Sequence, residues 1–331
     1  MAPITVAAVH AAPEYLDVDR TIEKACGLII EAGEQGADLI VFPEVFVPGF
    51  PYWINCYAPL VQVPMHARYA NTSIDMSDAA SLRPVQEAAR RAETMVVLGI
   101  NEREGGSLYN AQVFIDERGN IIGRHRKLQL TFAERTLWAQ GDGSTLNVFD
   151  TKVGRLGGLI CWEHTMNLAR QALVGLGEQI HASSWPGLST LAGFSDTFDD
   201  QVEAMTRNHA LTSQSFVVVA QNPVNQQVLD VLEAALGPQE FLTTGGGWSA
   251  IIHPMTPYLA GPHTGLEEKI LYATIDLEDI TGVKMFVDSN GHYARGDILR
   301  LSVDDRAAVS VSRTSGNGVV PMVSGDPDFV E

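Results

Sequence analysis

The alternation of short apolar runs with amphipathic segments is the feature of this sequence that most constrains its fold. Apolar runs such as 38–42 and 155–160 suit strands that are buried on both faces of a sheet, whereas 17–32 and 197–213 place apolar residues at helical spacing. Strands that alternate with helices predict a layered α/β protein. The segment 111–125, with a Glu-Arg-Gly turn, predicts a hairpin and therefore a mixed rather than a purely parallel sheet.

The same patterns predict the remaining elements and one folded domain. The other predicted strands are 4–9, 95–100, 179–182, 216–220, 248–253 and 270–275, and the other predicted helices are 83–91 and 168–176. Because no internal repeat, low-complexity segment or linker-like shift in composition divides the chain, we expect a single domain over 1–309. The stretch 310–331 is rich in Ser, Gly, Pro and Asp, and we expect an extended tail there.

Composition and charge exclude several classes of partner. The chain has 331 residues, 45% of them apolar, which is enough for a large buried core. Lys plus Arg number 22 against 40 Asp plus Glu, and the net charge of -18 argues against nucleic acid or an anionic membrane surface as a partner. No apolar run is long enough to span a bilayer. The first residues lack the basic region of a signal peptide, and three cysteines, Cys26, Cys56 and Cys161, are too few for a disulfide framework. We therefore expect a cytoplasmic protein.

Cys161 is the first candidate for chemistry. It follows an apolar strand that contains Gly157 and Gly158, and it precedes a Trp-Glu-His string. A strand that ends in a sharp turn can present a nucleophile in a cleft, and the thiolate is the reactive form of cysteine. The alternative is a buried structural thiol, which is how we interpret Cys26 on the apolar face of a predicted helix.

Three charged residues could serve such a thiol. Glu44 stands after a buried strand, at the sheet edge where α/β sites usually lie, and a partly desolvated carboxylate there is a suitable base. Lys127 ends a strand-like segment and could stabilise negative charge in a tetrahedral intermediate. Glu134 follows it at a distance of seven residues and could hold Lys127 in place. Taken singly, each residue has an ordinary structural interpretation. Glu44 would be a loop glutamate and Lys127 part of a solvated basic face, and Glu134 would form a local ion pair with Arg135.

Together with their surroundings, these residues resemble the nitrilase superfamily. The resemblance rests on 41–53 (VFPEVFVPGFPYW), on 125–128 (HRKL) with Glu134 and 141–143 (GDG), and on 154–164 (GRLGGLICWEH), with further matches at 101–103, 107–110 and 291–295. The Cys-Trp-Glu-His string is more similar to the true nitrilase branch than to the amidase branches. The resemblance extends from about residue 4 to about residue 300.

The resemblance implies a fold, a mechanism and an assembly. The implied fold is α/β, a four-layer α-β-β-α sandwich with mixed sheets in a single domain. Cys161 falls on the position of the nucleophile, and Glu44 falls on the position of the base. Lys127 falls on the position of the electrostatic stabiliser, and Glu134 on the position of a supporting second glutamate. The implied reaction is hydrolysis of an organic nitrile to the carboxylic acid and ammonia through a thioimidate and an acyl thioester, with the backbone N–H of Trp162 as a further donor. No metal or organic cofactor is implied, and members pair into homo-oligomeric dimers that grow into spirals or rings.

Aromatic residues near the catalytic blocks predict an apolar substrate pocket. The substrate-binding candidates are Phe50, Trp138, Trp162, Trp185, Pro186 and Phe194, with Tyr52 and Trp53 close by in sequence. Each of them could equally be a core or subunit-contact residue. An aromatic wall would admit aryl, arylaliphatic and larger aliphatic nitriles alike. His164 could orient Glu163 or a water, or it could fill a structural position.

Three other functions stay open from the sequence. An amidase or carbamoyl hydrolase and a cyanide-converting enzyme would use the same scaffold, and turnover of amides or of cyanide would separate them from a nitrilase. A non-catalytic assembly protein is the remaining class. The joint presence of Glu44, Lys127, Glu134 and Cys161 argues against that class.

Overall fold

Two β-sheets packed face to face form the centre of the molecule. The computed structural model describes residues 3–195, 197–308, 312–315 and 318–321. The first sheet contains β1 (Ile4–His10), β2 (Leu39–Val41), β3 (Ile74–Asp75), β4 (Met95–Glu104), β5 (Ser107–Ile115) and β6 (Ile121–Arg126). The second contains β7 (Phe149–Thr151), β8 (Gly154–Ile160), β9 (Ile180–Trp185), β10 (Phe216–Gln221), β11 (Trp248–Ile252) and β12 (Tyr258–Thr264), after which β13 (Lys269–Ile275) returns to the first sheet.

Both sheets are mixed, as the sequence predicted. The first has the order β13-β1-β2-β4-β5-β6, with β3 beside β4, and its strands β1, β2 and β4 run parallel. The second has the order β12-β11-β10-β9-β8-β7, and its strands β8, β9 and β10 run parallel. Antiparallel strands flank each parallel set. The carboxyl ends of the parallel strands meet at one edge of each sheet, which is where sites in α/β proteins form.

Helices cover the outer faces of the two sheets. They are α1 (Val18–Glu34), α2 (Trp53–Cys56), α3 (Val63–Asn71), α4 (Arg83–Ala92), α5 (Asn167–Gly175), α6 (Phe198–Ser213), α7 (Gln226–Leu236) and α8 (Glu278–Lys284). Helices α1 and α4 pack side by side over the first sheet, and α5 and α6 cover the second. The predicted four-layer α-β-β-α sandwich is therefore confirmed.

Strand periodicity divides the apolar residues between two interfaces. Side chains of Val6 and Val97 pack between the sheets against Ala182 and Val218. Their neighbours in sequence point the other way and pack against helices, since successive strand residues face opposite sides of a sheet. This is why the central strands are apolar throughout, and why continuous apolar runs predicted them correctly.

The structure also contains elements that the sequence patterns did not predict. The strand predicted at 111–115 is the second half of β5, which forms a long hairpin with β4 that is closed by Gly105 and Gly106. The strands β3, β7 and β12 and the helices α2, α3, α7 and α8 were not predicted. Most are short or lie at an edge, where half-exposed residues give weak periodicity.

The C-terminal region is described only in part. Two strands, β14 (Ser312–Ser315) and β15 (Gly318–Pro321), pair antiparallel within the predicted tail, and the remainder of 309–331 lies outside the described residues. None of the helices in the described ranges has the length and apolarity needed to cross a bilayer.

Candidate active site

The predicted nucleophile position lies at a sharp turn. Cys161 directly follows β8 and begins a short 3₁₀ helix, Cys161–Thr165. Its φ of 54° is in the left-handed region, which costs a non-glycine residue about 1–3 kcal/mol and is concentrated at functional sites. The side chain is buried, with 1% of its surface exposed. The strand-to-turn setting predicted for Cys161 is present.

Glu44 reaches the same place from the first sheet. It follows β2 by two intervening residues, and its backbone N–H donates to the Trp185 carbonyl at the end of β9 in the second sheet. The loop lies directly on Gly99 of β4, where an added Cβ would be 2.2 Å from the Pro43 carbonyl oxygen and 2.6 Å from the Val45 nitrogen. Only glycine at this position allows the loop to approach closely enough to place the Glu44 carboxylate at the sheet edge.

Lys127 lies between two carboxylates. It follows β6, and its backbone N–H donates to the Asn110 carbonyl of β5. Its Nζ donates to Glu44 Oε1 at 2.8 Å and contacts both carboxylate oxygens of Glu134, at 2.9 Å to Oε1 and 2.8 Å to Oε2. Its side chain is fully buried. The ammonium is therefore part of a closed charge network and not of a solvated basic face.

Glu134 is held by its own local structure. It lies in the 3₁₀ helix Phe132–Thr136, and its Oε2 accepts a hydrogen bond from the Thr131 N–H at 3.0 Å in a capping box. This cap turns the carboxylate back towards Lys127, and no ion pair with Arg135 is formed. The structure thus brings Glu44, Lys127 and Glu134 together, and one carboxylate oxygen of each glutamate lies within 4.8 Å of the Cys161 sulfur.

Burial and charge set the protonation states of the network. Burial raises the pKa of Glu44 to about 7, although Lys127 opposes this shift. Burial alone would lower the pKa of Lys127, but Glu134 and Glu44 outweigh it and hold that pKa well above its ordinary value. Burial, together with Glu44, raises the pKa of the Cys161 thiol well above its usual range. The resting site therefore holds a neutral thiol beside a carboxylate that can accept its proton near neutral pH.

Asn110 is a member of the site whose role the sequence did not predict. Its Nδ2 donates to Glu44 Oε1 at 2.5 Å, beside the bond from Lys127. The other oxygen, Glu44 Oε2, is buried and has no hydrogen-bond partner among the described residues. One oxygen of Glu44 is thus fixed in direction, and the other is free to receive a proton. Asn110 belongs to the matched segment 107–110, which was the available signal.

A third glutamate joins the cysteine turn to the lysine strand. Glu163 accepts hydrogen bonds from the Ile160 N–H at 2.7 Å and from the Leu128 N–H at 2.6 Å, and both of its oxygens contact the His125 ring at 3.1 and 3.2 Å. Burial alone would lower the pKa of His125, but Glu163 outweighs it and raises that pKa. Because Glu163 binds residues adjacent to both Cys161 and Lys127, it fixes the distance between their backbones.

His164 does not orient Glu163, which was one of the roles left open for it. Its Nδ1 instead contacts the Cys161 carbonyl oxygen at 2.6 Å, and its Nε2 contacts His181 Nε2 and Ser183 Oγ, both at 2.9 Å. The orienting histidine of Glu163 is His125. The two histidines are not distinguishable by sequence spacing, because only the fold shows which one lies beside the carboxylate.

The aromatic substrate-binding candidates fall into two groups around the nucleophile. The rings of Phe50 and Trp138 meet edge to face at 5.8 Å, and those of Trp162 and Phe194 do so at 5.4 Å. All four pack in or against the apolar cluster that contains Cys161. Trp162 and Phe194 are half-buried, so they lie nearest to solvent.

Trp185 and Pro186 occupy supporting positions. Trp185 is fully buried, stacks on His164 with ring centroids 5.0 Å apart, and donates from Nε1 to Ser183 Oγ at 2.7 Å. The carbonyl of Pro186 accepts a hydrogen bond from Gln221 at 2.8 Å. Tyr52, which was noted only as a neighbour in sequence, is buried with its hydroxyl bonded to Asn222.

The site carboxylates and thiol have the donor types of a metal centre. The ligand atoms of Glu44, Glu134 and Cys161 all lie within 4.8 Å of one another. The ammonium of Lys127 already bonds both carboxylates, so it supplies the positive charge that these groups require. The arrangement can therefore move protons between a thiol and a carboxylate beside a fixed cation.

A second buried set comprises Glu178, His181 and His209, whose ligand atoms also lie within 4.8 Å of one another. The Glu178 carboxylate contacts His181 Nδ1 at 2.7 Å and His209 Nε2 at 2.9 Å. These are hydrogen-bond distances, so the Glu178 carboxylate is bonded to both rings, while His209 Nδ1 is buried without a partner among the described residues.

Comparison with known proteins gives the family. The carbon–nitrogen hydrolase family model matches residues 5–285. An aliphatic nitrilase of Rhodococcus rhodochrous is 40% identical over 310 residues, which cover 93% of this chain and 84% of that protein. An arylacetonitrilase of Aspergillus niger is 38% identical over 307 residues, which cover 92% of this chain and 89% of that protein.

A solved structure gives the same fold. A carbon–nitrogen hydrolase from Helicobacter pylori, 20% identical, superposes with a TM-score of 0.70 and covers 89% of this chain and 97% of that one. The family model and the curated relatives confirm the family resemblance found in the sequence. The chain belongs to the carbon–nitrogen hydrolase family.

Proposed function

We propose that this protein is a nitrilase that hydrolyses an organic nitrile to the carboxylic acid and ammonia, with Cys161 as the nucleophile. The observation that carries the proposal is the buried charge network in which Lys127 bonds Glu44 and Glu134 beside the Cys161 sulfur. Support for the nitrile as substrate comes from the two relatives, which are about 40% identical over most of the chain and are named as nitrilases.

In the first half of the reaction, Glu44 accepts the thiol proton and the Cys161 sulfur forms a bond to the nitrile carbon. The nitrile nitrogen takes that proton, which gives a thioimidate. Glu44 then removes a proton from a water whose oxygen adds to the same carbon. A pKa of about 7 suits Glu44 to both steps, because proton transfer is efficient when the pKa of the base lies near the working pH.

In the second half, Glu44 returns the proton of the water to the nitrogen, which gives a neutral adduct that carries a hydroxyl and an amino group. Glu44 then passes the hydroxyl proton to the same nitrogen, the carbon–nitrogen bond breaks as ammonia leaves, and an acyl thioester on Cys161 remains. A second water, activated by Glu44, releases the acid and restores the thiol. Lys127 stays protonated throughout and stabilises the oxyanion of each adduct. If the first adduct expels the thiolate instead of ammonia, the product is an amide.

The roles of the surrounding side chains follow from their contacts. Glu134 fixes Lys127 in position. The aromatic pairs Phe50 with Trp138 and Trp162 with Phe194 are the proposed walls for the substituent of the nitrile, while Trp185 and Pro186 shape the floor behind them. These walls suit an apolar substituent of aryl, arylaliphatic or larger aliphatic type.

A substrate panel tests the proposal. Aliphatic, aryl and arylacetonitriles, the matching amides, and cyanide are each incubated with the protein, and ammonia, acid and amide are measured. We expect ammonia and acid from at least one nitrile, with no release by Cys161→Ala. If amides or cyanide release ammonia but no nitrile does, the protein is one of the rival hydrolases. If no substrate is turned over and electrophiles do not label Cys161, the protein has a non-catalytic role.

We also propose that the protein is a homo-oligomer built from dimers, with growth into a spiral. The segment after α8 carries large apolar side chains that are largely exposed, among them Met285 at 72%, Phe286 at 77% and Leu299 at 73%. Exposed apolar patches of this kind commonly mark contacts between chains. Light scattering after gel filtration should give a dimer or a multiple of it, and a monomer at micromolar concentration would contradict the proposal.

A cytoplasmic location is the matching proposal for the compartment. Cys26, Cys56 and Cys161 are all free thiols, and a thiol nucleophile stays reduced in a reducing compartment. Fractionation of the source cells should recover the protein with cytoplasmic markers, and recovery from an oxidising compartment would contradict this.

A further inference from the structure

A buried chain of polar side chains leads from the interior of the second sheet to the backbone of Cys161. The Glu178 carboxylate contacts His181 Nδ1 at 2.7 Å, and His181 Nε2 contacts His164 Nε2 at 2.9 Å. His164 Nδ1 in turn contacts the Cys161 carbonyl oxygen at 2.6 Å. Glu178, His181 and His164 are all at most 2% exposed. The mechanism proposed above uses none of these three side chains.

Several local features build this chain. Strand alternation places His181 and Ser183 of β9 on the sheet face that α6 covers. The 3₁₀ turn after Cys161 brings His164 over the same face, where it stacks on Trp185. Gly157 of β8 leaves the space for the carboxylate, because an added Cβ there would lie 2.3 Å from Glu178 Oε1.

The hydrogen bonds along the chain use three protons. The Cys161 carbonyl can only accept, so His164 Nδ1 must donate. The ionised Glu178 carboxylate can also only accept, so His181 Nδ1 donates to it. His164 Nε2 then accepts, either from His181 Nε2 or from the Ser183 hydroxyl, both of which lie 2.9 Å away.

The charges around the chain agree with that count. Burial alone would raise the pKa of Glu178, but His181 and His209 outweigh it and lower that pKa to about 2, so the carboxylate is ionised. Burial, His181 and the flanking His209 and Arg170 lower the pKa of His164 well below its usual value. The His164 ring is therefore neutral, and Glu178 is an ionised acceptor at the other end of the chain.

The His164 end of the chain bonds to the peptide unit between Cys161 and Trp162. The Cys161 carbonyl and the Trp162 N–H belong to one planar peptide unit and point in opposite directions when that unit is trans. A donor that fixes the carbonyl thus also fixes the direction of this N–H, and it polarises the peptide so that the N–H becomes a stronger donor.

We propose that Glu178, His181 and His164 form a positioning relay that holds the Trp162 N–H as an oxyanion donor for the adducts formed on Cys161. The relay touches neither substrate nor sulfur through its side chains. It acts by orienting and polarising one peptide bond. The inference rests on the proposed function, because an oxyanion donor has a role only where an adduct forms on Cys161.

The first experiment separates orientation of the peptide from general support of the fold. His164→Phe keeps a ring against Trp185 but removes the donor, and His164→Asn restores a short N–H donor at the position of Nδ1. We expect kcat for a nitrile to fall about 10²-fold in the phenylalanine variant, the scale of losing one oxyanion donor, with KM changed less than about threefold. The asparagine variant should recover part of the loss.

The rate of Cys161 alkylation by iodoacetamide separates the two roles of His164. If His164 only supported the fold around Cys161, its loss would lower this rate as well as kcat. Attack on the saturated carbon of iodoacetamide forms no oxyanion, so the rate of Cys161 alkylation in His164→Phe should stay close to that of the wild type. Peptide mass spectrometry distinguishes Cys161 from Cys26 and Cys56. The matched control is His10→Asn, a change at an equally buried histidine that bonds Ser249 and Gly265 instead, and it should leave kcat unchanged.

The second experiment tests whether the chain acts as a unit. Glu178→Gln removes the negative charge at the Glu178 end of the chain, and we expect kcat to fall about tenfold or more. The double variant with His164→Phe should lose no more than His164→Phe alone, because residues that act through one another are not additive. If His164→Phe fails to fold, Glu178→Gln alone tests the relay.

Three outcomes would overturn the relay. They are unchanged kcat in a folded His164→Phe or Glu178→Gln protein, additive losses in the double variant, and parallel losses of kcat and of the Cys161 alkylation rate. Failure of the proposed function looks different, because the wild-type protein itself would then release no ammonia from any nitrile.

Discussion

At the scale of single residues, one ammonium group balances two buried carboxylates beside a thiol. Lys127 is the only cation bonded to Glu44 and Glu134 in the described residues, and none of the three is more than 3% exposed. A buried charge without a partner is far more costly than a surface charge. The same group therefore contributes to stability and holds the site in its reactive protonation state.

Replacing Lys127 with Met should cost both stability and activity. We expect the free energy of unfolding to fall by about 3–5 kcal/mol, since two buried carboxylates lose their partner, and nitrile turnover to be lost. Urea unfolding and ammonia release check this. Lys152→Met is the control, because Lys152 is about a third exposed and lies 3.6 Å from Asp38. It should cost about 0–1 kcal/mol. Equal losses in both variants would contradict the role of the buried network.

Replacing Asn110 with Leu should move the pH dependence of the reaction. The base acts when ionised, so kcat/KM should rise with pH through about 7, the pKa of Glu44. The Asn110 N–H lowers that pKa by bonding the charged form. Loss of this bond should move the rise of kcat/KM to higher pH by about one unit, the scale of one charge-assisted hydrogen bond.

Asn147→Leu is the control, because Asn147 is exposed, and it should leave the pH of this rise unchanged. A rise of kcat/KM in Asn110→Leu at the wild-type pH, or at lower pH, would contradict the assignment of the base.

The residues of the charge network could be predicted from the sequence, and their supports could not. Glu44, Lys127, Glu134 and Cys161 lie in matched segments, and the structure brings them together. The chain from Glu178 to His164 has no periodic pattern, since its members lie on a loop, a strand and a turn. Only the pairing of β8 with β9 makes them neighbours.

At the scale of elements, each catalytic block contains a non-glycine residue with positive φ. These are Val45 at 46°, Phe132 at 42° and Cys161 at 54°. Such conformations persist only where the surrounding structure determines them. Tight loops at the sheet edges, rather than the regular elements, thus aim the three functional side chains.

Replacing Gly99 with Ala should displace the Glu44 loop. The new Cβ would meet backbone atoms of Pro43 and Val45, which cannot move aside as a flexible side chain can. We expect kcat to fall about 10²-fold, as for small displacements of catalytic groups, with an overpacking cost of about 1–3 kcal/mol. Gly106→Ala in the turn of the same hairpin is the control, since nothing lies within 4 Å of its added Cβ. A Gly99→Ala protein with normal kcat would show that the close approach is dispensable.

Elements buried on both faces were predictable, and peripheral ones were not. The central strands are continuous apolar runs, so β1, β8 and β10 were predicted to within a residue or two. Helix α7 carried a signal that was missed, the Asn225 cap that accepts from the Val228 N–H. Strand β12 contains Gly261 and Pro262, which favour turns, and only its edge position against β11 permits it.

At the scale of the whole molecule, the two sheets share one apolar interior and support one site. Cys161 and Trp185 come from the second sheet, whereas Glu44 and Lys127 come from the first. The site therefore exists only when the sheets are packed together. The four-layer arrangement was implied by the family resemblance, while the apolar pattern alone indicated only an α/β protein.

Truncating the shared interior should weaken the whole fold. Phe216 is fully buried between the sheets, and Phe216→Ala should lower the free energy of unfolding by about 3–5 kcal/mol. Phe241→Ala is the control, since Phe241 is 53% exposed and should change stability by less than about 0.5 kcal/mol. Thermal unfolding followed by circular dichroism checks both. A small loss for Phe216→Ala would argue against a shared core.

Rapid quenching during turnover of a nitrile, followed by mass spectrometry of the peptide that contains Cys161, tests the proposed nucleophile most directly. The predicted result is a thioimidate or acyl adduct on Cys161 that is absent from Cys26 and Cys56, together with a Cys161→Ala protein that is folded and inactive. Nitrile hydrolysis by Cys161→Ala, or turnover with an adduct on a different residue, would contradict the mechanism.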